Sequence, residues 1–247
     1  MEVRIVTYLA LTHRTPYATR RLETWALNAH EIEEADRVVR HVRDYLRPGS
    51  DESSQSRAFE FTATTAETCL KHFDSILASH ASAATLPTDV QEELEQAVST
   101  LNHIADQVYF ASGAYNGKRD GQPVVVNDEI KRFAERAVPV LVTCSGTRAA
   151  PIVHHAAETL IYLAPLDERR ALLALSKAIT KGGEYASDSI SSNVVVPHLK
   201  RLLAEHRHLV LFDPQGVVAF RQLLAAFAAA GSEPALELAF TFAEVFR

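Results

Sequence analysis

Two cysteines, one tryptophan, one methionine, nine glycines and ten prolines are all that this 247-residue chain carries of those types. Each scarcity excludes something. Cys69 and Cys144 lie far apart and in no metal-ligand spacing, so neither a disulfide scaffold nor a thiolate metal centre is encoded. Both read as buried, reduced thiols. So little glycine and proline leaves no room for long loops or for the regularly spaced turns of a large sheet. No apolar run reaches the roughly 18–20 residues needed to span a bilayer. The opening MEVRIVTYLALTHR has an acid at its second position and a short apolar run broken by Thr and Tyr, which does not read as a signal peptide. The expectation is a cytoplasmic protein that does not enter a membrane.

The familiar catalytic motifs are missing as well. TCSGT, around Ser145, lacks the first glycine of a nucleophile elbow. NGKRDG is too short for a phosphate-binding loop and has no Ser or Thr after its lysine. HEIEE at His30 lacks the second histidine of a helical zinc motif, and no His is followed directly by Asp. The reading therefore leans away from an enzyme and implies no cofactor.

What the chain does have is alanine and leucine, the best helix formers, within a hydrophobic content of 47%. This implies an all-α fold: antiparallel helices stacked as a short α-solenoid or an irregular helical bundle, about 10–11 in number. Thr15 as a cap followed by Pro16 starts one helix, and residues 31–47 form a second, stopped by Pro48 and Gly49. The strongest pattern runs from Thr88 or Asp89, as caps, through Val90, Leu94, Val98, Leu101, Ile104 and Val108. Further helices are expected near 128–145, 149–164, 167–182, 188–208, 214–230 and 233–246, with links short enough to force antiparallel neighbours. Two irregular places interrupt the N-terminal region, 1–126: a polar loop at 48–57, expected to be a hinge, and a glycine-containing loop at 112–126, with a β-hairpin as its alternative.

Charge is uneven. Residues 58–126 carry nine acids against three bases, while 1–57 and 127–247 each balance, so the whole net charge of −6 lies in the middle. That balance disfavours generic adhesion to nucleic acid or anionic lipid and offers an acidic face to a basic partner.

In the C-terminal region, 127–247, AVPVLVTCSGTRAAPIVHHAAETLIYLA and VVPHLKRLLAEHRHLVLFDPQGVVAFRQLLAAFAAAG share an order: a proline-bearing helix, a link, then an Ala/Leu-rich partner. Pro139 and Pro197 are 58 residues apart and Val153 and Val218 are 65 apart, so the period is not constant. Over residues 128–247 this pattern resembles HEAT and armadillo-type α-solenoids. The resemblance implies stacked helix pairs whose face binds another macromolecule, and it transfers no catalytic residue. The start offers no polar cap and the end, PALELAFTFAEVFR, is apolar, so the chain is read as part of a larger protein or as a subunit of an assembly.

Three groups of candidate site residues follow. Phe240, Phe242 and Phe246 form a candidate interface for a protein partner or a second copy. Arg37, Arg40, Arg43 and Arg47 step by three, three and four, a stripe that with Lys118 and Arg119 could track phosphates, giving nucleic-acid binding as the alternative function. Local pairing to Glu33, Asp36 and Asp44 would make the stripe an ordinary solvated face. His154, His155 and Glu158 have ligand-like spacing and give a metal-dependent enzyme as the second alternative. A helical di-metal site, however, needs two Glu-x-x-His pairs and two more carboxylates, and adjacent histidines point about 100° apart. Packing is the stronger reading, with Glu158 expected in water. The favoured function is a non-catalytic recognition or scaffold module that binds protein.

Overall fold

A computed structural model describes residues 2–83, 85–147, 149–180, 185–187 and 189–245. Among these there is no strand, and there are fourteen α-helices. The N-terminal ones are α1 (Glu2–Leu11), α2 (Pro16–Leu27), α3 (Ile32–Val39), α4 (Arg43–Leu46), α5 (Glu52–Ser79), α6 (Thr88–Ser112) and α7 (Ala114–Asp120). They are followed by α8 (Asp128–Cys144), α9 (Ala150–Leu163), α10 (Glu168–Thr180), α11 (Ser189–Glu205), α12 (Arg207–Leu211), α13 (Pro214–Ala229) and α14 (Glu233–Val245). The all-α, stacked architecture is as the composition requires. The count exceeds the expected 10–11 because α1, α4, α7 and α12 are extra short helices. No helix of the described residues is long and apolar enough to cross a membrane.

The helices form two layers. In one, α2, α5, α8, α10 and α13 follow side by side; in the other, α3 with α4, then α6, α9, α11 and α14. Each helix packs on its layer neighbours, and α5 with α6, α8 with α9 and α13 with α14 also pack as pairs across the layers. The chain α1 packs on α2 and α3 at one end, and α13–α14 closes the other. The proline-bearing helices α8 and α11 sit in opposite layers, which accounts for the inconstant spacing of the sequence pattern.

Two hydrophobic cores result. The first is built from α1 to α9 around Leu11, Trp25, Leu101, Ile104, Phe133 and Leu141. The second is built from α8 to α14 around Leu160, Leu172, Leu199, Phe220, Leu223 and Phe227. Helices α8 and α9 face both: Ala137, Leu141 and Ile152 belong to the first core, Val138, Val153 and Leu160 to the second. A helix buried on two sides must be apolar on two sides, and this is why α9 reads as Ala- and Leu-rich nearly all round.

The expected polar loop at 48–57 is corrected. Asp51 caps α5, its carboxylate accepting from the Ser54 amide at 2.9 Å, and the helix starts at Glu52. Ser54 and Gln55 are buried. The Ser54 hydroxyl donates to the Leu11 carbonyl at the end of α1 (3.0 Å), and the Gln55 amide donates to the carbonyls of Leu46 and Arg47 (3.1 and 2.8 Å). Arg136 of α8 donates to Gln55 Oε1 at 2.7 Å. These polar residues therefore satisfy the open carbonyl ends of two other helices. The 112–126 segment is likewise not a continuous loop and forms no hairpin. Gly113, at φ 86°, closes α6 in the left-handed conformation, and the chain turns at once into α7. Residues 121–127 then connect to α8, capped by Asn127.

Candidate functional site

The end face formed by α13 and α14 leaves apolar surface open, as do Tyr17 and Leu27 of α2 and Val125 and Val126 ahead of α8. On α14, Ala235, Leu238 and Phe242 face inward, and Phe242 packs on Phe220 of α13 with ring centroids 5.0 Å apart. The same helix places Leu236, Phe240 and Ala243 four and three residues apart on an outward stripe, with Phe240 74% exposed. On α13, Val218, Ala225 and Ala228 continue the outward face. Between the two helices lies an open groove of about 430 Å³, lined by Leu224 and Phe242, by Ala225, Ala228, Ala239 and Ala243, and by Arg221, whose guanidinium lies over the Phe242 ring at 5.6 Å. The groove exists because alanine, good for the helix, fills little space between two backbones. Of the three phenylalanines singled out in the sequence, Phe240 is the exposed one, Phe242 floors the groove, and Phe246 lies outside the described residues.

The ligand-like residues of α9 are placed differently from the expectation. Glu158 is not in water but 8% exposed, and its carboxylate accepts from Lys118 of α7, with His154 Nε2 3.4 Å away and Tyr109 close enough to help lower its pKa. Burial alone would push this carboxyl up; His154, Lys118 and Tyr109 outweigh it and hold it at about 2. His155 does not join them: its ring stacks on Tyr109 at 5.0 Å and 17°, and burial keeps it neutral by lowering its pKa. The metal reading is corrected accordingly. Among the described residues no group of three or more His, Cys, Asp and Glu side chains is arranged to hold an ion, and the Glu158 carboxylate is taken up by an ammonium group. Two features that looked unrelated in sequence, the Lys118–Arg119 tip and the His-His-Glu run, thus form one clasp joining α7 to α9. Arg119 pairs with Asp120 (2.8 Å) and lies over Tyr115 at 5.9 Å.

The arginine stripe does not lie on one helix. Bonds from His41 N to Val38 O and from Val42 N to Val39 O tighten the backbone after α3, and α4 begins afresh at Arg43. Arg37 pairs with Glu33, and Arg47 with Asp44 at 3.3 Å. Arg40 donates through Nε and Nη2 to Asp36 Oδ2 (3.0 and 2.8 Å), and the buried Asp36 accepts a further bond from His103 Nδ1 (2.6 Å). Arg43 has no acidic partner among the described residues and lies over the Phe110 ring at 5.8 Å.

A fourth cluster went unseen in the sequence. His198, buried in α11 next to Pro197, is held neutral with its pKa lowered to about 4 by burial and then by Arg201 and His206. Arg201 bridges to Glu168 of α10 at 2.6 Å and to Glu205 at 3.5 Å. The network joins Arg201 of α11 to Glu168, 33 residues earlier at the start of α10, so no local spacing announces it. The chain matches no known protein family, no curated protein and no solved structure.

Proposed function

We propose that the protein is a non-catalytic recognition module of the cytoplasm, a short row of helix pairs of the HEAT and armadillo kind, that binds a protein helix on its α13–α14 end face. One observation carries this reading. On α14, Leu236 and Phe240 are exposed, and the α13–α14 groove beside that helix is lined by apolar side chains. A protruding aromatic next to an alanine-lined slot is the arrangement in which buried aromatic anchors concentrate binding energy. Phe240 stands on α14, the helix that forms one wall of the slot, and a second copy related by a two-fold axis is an occupant in which each Phe240 fills the other's slot. Self-association is therefore the first case to test.

The test is light scattering after size exclusion, over a concentration series, on the wild type and on Phe240→Asp. The reading expects a dimer at micromolar concentration that Phe240→Asp converts to monomer with unchanged thermal melting, since Phe240 contributes nothing to the core. A wild type that stays monomeric to about millimolar concentration, or a dimer indifferent to Phe240→Asp and Leu236→Asp, overturns self-pairing through this face.

A further inference from the structure

At the opposite end of the row, α1 and the α3–α4 turn border an open polar groove of about 340 Å³, most of whose lining residues are exposed. Arg4 and Tyr8 come from α1, Arg40 and His41 from the turn, Arg43 and Tyr45 from α4. Arg4 and Arg43 have no acidic partner among the described residues, while Arg40 is held from behind by the buried Asp36 and keeps its Nη1 uncommitted. The one acid on the wall, Asp44, is already paired with Arg47. Three guanidiniums and one carboxylate thus line the site, leaving an excess of about two positive charges.

We infer that this groove binds a small phosphomonoester, its phosphoryl group held among Arg4, Arg40 and Arg43. Three guanidiniums reaching in from separate elements suit an anion with three terminal oxygens and a charge near −2, whereas a carboxylate is satisfied by one fork. Asp36 fixes Arg40 as a positioning residue would, because its other oxygen is tied to His103 and the pair cannot swing away. The groove is larger than a lone phosphate and within the size range of small-molecule sites, which leaves space for an organic group against Tyr8 and Tyr45. The same arginines bear on His41: burial, then Arg4 and Arg40, hold its pKa below the ordinary value. The lining is confined to α1 and residues 40–45, and Arg37 of the same stripe is spent on Glu33. Both facts favour a compact ligand over a polynucleotide strand. The inference is separate from the protein-binding face, which lies at the far end of the row.

Calorimetry and amide NMR with inorganic phosphate, AMP and adenosine test it. Phosphate and AMP should bind at one site per chain and compete, adenosine should not bind, and the shifted resonances should cluster at Tyr8, His41 and Tyr45. Arg4→Gln and Arg43→Gln should each weaken AMP by about tenfold or more, each losing one charge-assisted bond. Arg4→Lys, which keeps the charge, should lose less, and Lys177→Gln nothing. Thermal melting shows whether each variant is folded, and the shift map on the wild type needs no variant at all. Absence of phosphate and AMP binding at millimolar concentration overturns the proposal. So does a shift map elsewhere on the molecule, or binding unaffected by both arginine variants. A single-stranded oligonucleotide series in which affinity climbs with length would replace it with a nucleic-acid track.

Discussion

Replacing Glu158 by glutamine tests the clasp between α7 and α9 in a way that pH makes quantitative. In the folded protein the carboxyl sits at about 2 against 4.5 for its ordinary value. A carboxyl depressed to that extent contributes up to about 3 kcal/mol when ionised in both states. That contribution is complete above the unfolded value of 4.5 and drains away as pH falls toward 2, because the unfolded chain then takes up a proton that the folded one refuses. Glutamine keeps the shape, but it has no charge for Lys118 and His154. At neutral pH Glu158→Gln should cost about 2 kcal/mol, or about 4–8 °C in Tm for a chain of this size. Lys118→Met should cost about 1 kcal/mol or less, because the Lys118 side chain is 61% exposed. The assay is urea unfolding of wild type and Glu158→Gln at a series of pH values from about 7 to about 3. The stability gap should be constant at the upper end and narrow below the unfolded carboxyl value. A gap that does not change with pH, or a Glu158→Gln protein as stable as wild type at neutral pH, refutes the reasoning.

Three further outcomes follow from the geometry. Gly117→Ala should cost about 1–3 kcal/mol by urea unfolding, since a Cβ there runs into the Tyr162 ring and the Gln122 carbonyl and must push α7 off α9. Gln55→Leu should cost about 1–3 kcal/mol, because it removes the donor to the Leu46 carbonyl and one acceptor of Arg136, while the Arg47 carbonyl keeps its bond from the Ser50 amide; limited proteolysis should begin to cut near residue 50 only in that variant. Arg4→Gln should raise the pKa of His41 toward its ordinary value, read from the imidazole shifts in an NMR titration. Arg40 on the same turn and Arg43, Asp44 and Tyr45 of α4 are left in place, so an unmoved His41 would show that Arg4 does not face it.

Much of the fold was legible where local rules act alone. Thr15 and Pro16 start α2 and Asp213 caps α13, though Thr15 makes no side-chain cap bond; the expected caps Thr88 and Asp89 lie inside α6, which Pro87 precedes, and the three-and-four spacing of Leu101, Ile104 and Val108 fixes the buried face of that helix. Local rules failed where polar residues act at a distance. Ser54 and Gln55 look like loop residues because nothing in the neighbouring sequence reveals that the carbonyl ends of α1 and α4 will need donors. Glu158 looks like a surface acid because Lys118 and Tyr109, which bury it, come from two other helices. The arginines of α3 and α4 were visible as a group, but Arg4, which turns two of them into the wall of a groove, stands 36 positions before Arg40. An exposed Arg4–Tyr8 pair one turn apart on an otherwise apolar first helix was the one local hint.

Helices α8 and α9 lend one side to each core, so they are a party wall: neither half can be stripped from the row without wetting the other. The molecule should consequently come apart in a single calorimetric endotherm, even though its two ends present such different chemistry to whatever they meet.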